Sequence, residues 1–210
     1  MRSESQYRKR RREVAADLFV QSAEAVIAQK GYEGATMHDI AGAAGCAVGT
    51  LYLYFKNKEM LFNAMVTRHS HAIADQLARA SAGVSGPLEQ LRVRNEAMIA
   101  YFNAHREFFR IFYAADIGGR ANIASNLRGS AMRAYLESKA LEIEMARKAQ
   151  TAGLIRTDIP PEEMIEFLHG VMVTTLARWS TAASIPPQEN QKRLIWSLIS
   201  GGLGVMRRGA

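Results

Sequence analysis

The chain has 210 residues, 48% hydrophobic and 22% charged, with a formal charge of +7 at pH 7. That balance excludes disorder as the main state. The longest apolar stretch near the C-terminus, Leu194 to Met206, is too short for a bilayer span, and the single cysteine, Cys46, excludes an internal disulfide. No secretory signal is expected in the charged segment Met1 to Glu13, so the expectation is a soluble cytoplasmic protein with no membrane partner. Ala, Leu, Met, Glu and Arg dominate while strand formers and proline are sparse, which predicts an all-α fold.

The first segment, residues 1–13, carries Arg2, Arg8, Lys9, Arg10, Arg11 and Arg12 against Glu4 and Glu13. Taken alone it reads equally as a solvated tail or as an arm that follows phosphates, and it could extend the next helix backwards. Glu13 to Lys30 has apolar residues at helical spacing and stops at Gly31. Thr36 then stands at an N-cap position with Asp39 three residues on, a capping-box start for a short helix from Met37 to Ala44 that ends at Gly45. A second short helix is expected from Gly49 to Phe55. Asn57 caps a much longer one, from Lys58 to about Ser81.

Ile40, Ala41, Ala44, Leu51 and Phe55 are the expected inward face of this head, and the helix before Gly31 must cover them. Tyr52 and Tyr54 are left near the outer surface with free hydroxyls. A short helix that shows small residues, hydroxyls and flanking lysines, and no carboxylate, suits a DNA groove. Gly83, Gly86 and Pro87 mark the boundary to a body of helices. These are expected at Leu88–Asn103, Arg106–Ala115, Ala121–Ala152, Pro161–Ala183 and Pro187–Val205, with breaks at Gly118-Gly119, Gly153, Pro160-Pro161 and Pro186-Pro187. The organisation is thus a basic N-terminal arm (1–13), a helix-turn-helix domain (14–60) and a larger helical domain (61–210).

The segment Thr36 to Leu61 resembles the DNA-binding domain of the tetracycline-repressor (TetR) family. The resemblance rests on Gly31-Tyr32, Thr36, Asp39-Ile40-Ala41, Ala44-Gly45, Gly49-Thr50-Leu51-Tyr52, Phe55 and Lys58-Glu59. It implies that the second short helix enters the major groove of double-stranded DNA. Thr36, Tyr52 and Lys58 would then meet phosphates, with Met37 beside Thr36 at the helix start. Ala47, Val48, Gly49, Thr50 and Tyr54 would lie against base edges or the adjacent backbone. With this head in place, Arg8, Lys9, Arg10, Arg11 and Arg12 read as an additional DNA contact, reaching towards the minor groove. Two positions depart from the family pattern. Ala47 stands where serine is common, which forfeits a side-chain cap, and Val48 stands where lysine or another polar residue is common, so base preference cannot be borrowed from relatives.

The body shows no catalytic constellation, so no enzyme, cofactor or metal is expected. His69 and His71 are two apart and face different directions on a helix. His38, His105 and His169 stand alone as capped or surface residues. Cys46 reads as a packed turn residue. The resemblance implies a pocket for a small-molecule effector, apolar or aromatic, for which Phe102, Phe109, Met132, Tyr135, Phe167 and Met172 are the expected lining. Arg106, Arg110 and Arg128 are candidate anchors should the effector be acidic.

The resemblance also implies a homodimer through the last two helices. Leu168, Val171, Thr175, Trp179, Leu194, Trp196, Leu198, Ile199 and Leu203 are its apolar face, with Gly170, Gly201 and Gly202 allowing close approach. The function expected is a homodimeric repressor of a palindromic operator, released when the effector binds. The alternative is a dimeric nucleic-acid or nucleoid binder that needs no ligand.

Overall fold

The computed structural model describes the backbone of residues 2–114 and 127–204, with side chains from residue 6 onward. Among these residues there are helices and no strand. The expected Gly118-Gly119 break, the Ala121 helix start and the Val205 helix end lie outside the described residues. The chain divides into two compact units, Met1–Arg68 and His69–Ala210.

In the first unit, helix α1 runs Arg2–Gly34, so the basic segment is the first turns of a helix and not a separate tail. Gly31, at φ 74° and ψ 165°, interrupts it, in a region of backbone space that favours glycine. The carbonyls just beyond that break lack their helical partners. Lys58, the first residue of α4 (Lys58–Ser81), takes them. Its Nζ donates to the oxygens of Tyr32 at 2.5 Å, Ala35 at 3.1 Å and Glu33 at 3.4 Å, and it lies 4.5 Å from the Tyr32 ring centroid.

Helices α2 (Met37–Ala43) and α3 (Val48–Tyr52) follow. The expected capping box is present. Asp39 N donates to Thr36 Oγ1 at 3.1 Å, and Thr36 N donates back to Asp39 Oδ2 at 3.1 Å. The Thr36 hydroxyl donates to the same carboxylate at 2.7 Å, while Lys30 Nζ holds its other oxygen at 2.6 Å. The Lys30 ammonium and the Thr36 donors together hold the Asp39 carboxyl down at about 2. The tight turn after α2 closes at Gly45, φ 67°, where Gly45 N donates to Gly42 O and Cys46 N to Ala41 O.

The core of the unit is Phe19, Val20, Ala23, Val26 and Ile27 from α1, Ile40 and Ala41 from α2, Leu51 and Phe55 around α3, and Leu61, Met65 and Val66 from α4. Expected inward residues Ile40, Ala41, Leu51 and Phe55 are all buried, and Ala44 is half-buried.

The second unit is built from the rest of α4, then α5 (Pro87–Ala104), α6 (Arg106–Ala114), α7 (Gly129–Thr151), α8 (Pro161–Thr181) and α9 (Gln188–Leu203). Proline opens α5 and α8, where its missing N–H does no harm. Helix α5 packs on α7 and α9, α6 on α8, and α8 also on α7 and α9. Leu91, Ile99, Phe102, Ile165, Leu176 and Ile195 are sealed within.

Through this apolar interior runs a charged line that was not anticipated. Arg94, 2% exposed, donates from Nε to Glu142 Oε1 at 3.0 Å and from Nη2 to Ser138 Oγ at 2.6 Å. The other Glu142 oxygen meets His169 Nε2 at 2.6 Å, and His169 Nδ1 lies 3.3 Å from the Tyr135 hydroxyl. His169 is therefore no isolated histidine. Burial alone raises the Glu142 carboxyl, but the His169 hydrogen bond and the Arg94 charge outweigh it and keep the group below its ordinary value. His69 and His105 are also placed in company. The buried His69 ring stacks on Phe108 at 3.7 Å, with Nδ1 2.7 Å from the Tyr101 hydroxyl. His105 closes α5, its ring 5.3 Å from that of His69.

Two expectations follow for stability. Replacing Arg94 by Met leaves Glu142 buried without its guanidinium and should cost roughly 3–5 kcal/mol. Denaturant melts of Arg94→Met and of Arg94→Met/Glu142→Leu check this, since the double variant should regain most of the loss. The second concerns acid. Because the folded Asp39 carboxyl sits below its ordinary 3.8, at about 2, its contribution is complete above 3.8 and disappears as pH falls towards 2. Wild type should lose stability relative to Asp39→Asn across that window, and a constant difference between the two would contradict the assignment.

Candidate nucleic-acid interface

Leu51 is fully buried and anchors α3 by one side, which leaves its other positions outward. Ala47, Val48, Gly49, Thr50 and Tyr52 are all exposed, with Val48 at 36% and Tyr52 at 49%. Ala47 is the N-cap residue and supplies no side-chain hydrogen bond, so the first N–H groups of α3 are left open. Gly49 has a helical backbone, and a Cβ built there meets nothing within 4 Å. Helix α3 is shorter than expected. It stops at Tyr52, and Leu53, Tyr54 and Phe55 continue as a turn that still donates to the carbonyls of Thr50 and Leu51.

Other candidate residues are placed differently from expectation. Met37 is 8% exposed, its side chain spent on the core. Thr36 is exposed, but its hydroxyl proton goes to Asp39, so a phosphate would have to compete for that donor. Lys58 faces back onto the end of α1 with its donors on three carbonyls. The reason is local: the break at Gly31 leaves those oxygens without partners, and an ammonium within reach satisfies them at once. Tyr54 is half-buried, its ring edge-on to Phe19 at 5.0 Å. Leu53, 75% exposed, joins the outward face of this segment. It occupies an unspecified position of the family pattern, so nothing in the sequence pointed to it.

Arg8, Lys9, Arg10, Arg11 and Arg12 are all exposed along the first turns of α1. Lys9 comes within 4.0 Å of Glu13, Arg11 lies 5.8 Å from the Tyr7 ring centroid, and Arg12 lies 5.7 Å from that of Tyr54. The first unit therefore presents a short helix with no carboxylate on its outward face and an array of guanidinium groups on a second helix. Such a surface attracts polyanions and admits α3 to a groove.

Of the expected effector lining, Phe102, Phe109 and Met172 are buried, and Phe102 and Phe109 pack with centroids 5.3 Å apart. Met132 and Tyr135 are half-buried. Burial, with Glu166 and Glu142 nearby, pushes the Tyr135 hydroxyl up to about 12. Phe167 is the exception. It is 54% exposed on α8 and lies so close over Gly202 that a Cβ there would approach its ring to 2.6 Å. Arg106 is committed to the carbonyls of Trp179 and Ala182 at the end of α8, and Arg110 to Glu107. Arg128 donates to the carbonyl of Leu127.

The expected dimer face also divides. Leu168, Trp179, Ile199 and Leu203 belong to the protomer's own core, whereas Leu194 and Leu198 are exposed. Among the described residues no group of three or more His, Cys, Asp or Glu side chains is placed to hold a metal, and no helix is long and apolar enough to cross a membrane.

Comparison with known proteins agrees with this geometry. Residues 19–65 match the model of the bacterial regulatory proteins of the tetR family. An uncharacterized HTH-type transcriptional regulator of Mycobacterium tuberculosis is 32% identical over 139 residues, covering 61% of this chain. The match spans 65% of that relative, just under two thirds of its length. The HTH-type transcriptional repressor AcnR of Corynebacterium efficiens is 26% identical over 166 residues, 79% of this chain and 82% of its own. The crystal structure of AibR in complex with isovaleryl coenzyme A and operator DNA superposes with a TM-score of 0.70 at 18% identity, over 91% of this chain and all of AibR. Residues 19–65 are a helix-turn-helix domain of the tetR family, and the chain has the all-helical TetR-like fold.

Proposed function

We propose that the protein is a transcription regulator, a homodimeric repressor that binds a palindromic operator through α3 and is released by a small-molecule effector. The observation that carries this reading is the outward row Ala47, Val48, Gly49, Thr50 and Tyr52 on a helix anchored only by Leu51, within the segment that matches the family model. Thr50 can donate or accept at a base edge, Val48 can touch a thymine methyl, and Gly49 allows close approach. The Tyr52 hydroxyl suits a phosphate. The named function of AcnR supports repression.

Effector release finds support in the AibR complex and in the aromatic and Met side chains of the body, with Phe102, Phe109, Met132, Tyr135 and Met172 as the lining and Phe167 left out. An effector that prefers one arrangement of the body shifts the population, and α4, continuous from Lys58 to Ser81, carries the shift to the head.

Fluorescence anisotropy with duplex DNA from upstream of the protein's own gene, set against scrambled DNA over a salt series, tests the reading. Specific binding that Gly49→Glu abolishes is the expected result. The added side chain meets open space and sits at a helix N-terminus that favours acids, so the variant folds while placing a carboxylate against phosphates. Equal binding to both duplexes, insensitive to Gly49→Glu, would favour a nonspecific binder that needs no ligand. Isovaleryl coenzyme A serves as the effector probe in the same assay, and an unchanged affinity at saturation removes release from the mechanism.

The proposed dimer surface combines Phe167, Gly170 and Val171 of α8 with Leu194, Leu198 and Gly201 of α9. Since Leu198 is 49% exposed in the protomer, Leu198→Glu should give a folded monomer in sedimentation velocity. A dimer that persists would move the interface elsewhere.

A further inference from the structure

We propose that Arg12, stacked on Tyr54, is a preset phosphate-binding point that extends the DNA contact from α3 onto the flanking backbone. This deepens the DNA-binding reading above and rests on it. Arg12 stands seven residues before Phe19 on α1, two helical turns away and on the same face. Tyr54 bridges the two, edge-on to Phe19 at 5.0 Å and under the Arg12 guanidinium at 5.7 Å. The turn that ends the recognition segment therefore fixes where this arginine stands.

Stacking occupies the flat face of a guanidinium and leaves its N–H edge, whose fork matches a phosphate. Among the described residues that edge is unspent, with neither hydrogen bond nor ion pair. Its neighbours differ, since Lys9 lies near Glu13 and Arg11 leans on Tyr7. Because α1 is already helical here, the charge sits on a formed element and little ordering remains to oppose binding. Tyr54, half-buried, then acts as a platform for Arg12. It is a positioning residue, and the base edges are left to Val48, Gly49 and Thr50.

The test measures binding of the full-length protein to an arbitrary-sequence duplex by anisotropy across a salt series. Arg12→Ala should lower the slope of log affinity against log salt by about 0.9, as expected for one lost phosphate contact, and equally on unrelated sequences. Tyr54→Leu should reproduce most of that loss, and Tyr54→Phe should keep the wild-type slope. The double variant Arg12→Ala/Tyr54→Leu should fall no further than Arg12→Ala alone. Thermal melts of the same samples separate lost folding from lost contact.

If wild type binds and Arg12→Ala keeps its slope, the proposal is overturned. If Arg12→Ala loses the slope while Tyr54→Leu retains it, the pairing is overturned. If wild type binds no DNA at any salt, the DNA-binding reading itself falls and takes this one with it.

Discussion

A backbone that stops being helical must hand its carbonyls to something else, and the head of this protein is arranged around that requirement. Gly31 breaks α1, and the oxygens of Tyr32, Glu33 and Ala35 converge on the Lys58 ammonium at the start of α4. Unsatisfied in a partly buried place, each would cost about 1–3 kcal/mol. One side chain meets all three and ties the end of α1 to the start of α4. Between these ends hang α2 and α3, which are too short to be stable alone. Their stability is borrowed from the core that α1 and α4 supply, into which Ile40, Leu51 and Phe55 insert.

The same economy explains why α3 can present so much of itself. Leu51 is its only buried residue, and its N-cap is an alanine without a side-chain bond. Helix α2, by contrast, is held by Thr36, Asp39 and Lys30 together, with a carboxylate shared between cap and ion pair. Rigidity is thus concentrated in α2 and in the turn at Gly45. The outward face of α3 is left to small, hydroxyl and apolar groups. Such a face makes few contacts of its own with the protein, which is the condition for making them with something else.

In the body, polarity is buried and not displayed. Arg94, Glu142 and His169 join α5, α7 and α8 through an interior that is otherwise apolar. A buried charge pair of this kind adds little net stability over a hydrophobic replacement, but it penalises any arrangement that separates its members. Its effect is to select one registry of three helices. Around it the aromatic side chains Phe102, Phe109 and Trp179 close on one another.

Much was already legible in the residues themselves. Periodicity and caps located most helices. Thr36 with Asp39 gave the start of α2, Asn57 gave that of α4 through its bond to Met60 N, and Ala47 was readable as an N-cap without a cap bond. These are local properties, set by residues three or four apart, so a sequence carries them directly. Which way a long or amphipathic side chain turns is a different matter. Lys58 read as a phosphate contact until its carbonyl partners, more than twenty residues away, were in place. Phe167 and Leu168 are neighbours with the same apolar character, yet one is exposed and the other buried. The partners of Arg94 and His169 lie 48 and 27 residues distant, beyond any local pattern. Sequence determined the elements, their order and the short segment that faces outward. Tertiary structure decided the direction of each side chain, because burial and hydrogen bonding depend on neighbours that only the folded chain brings together.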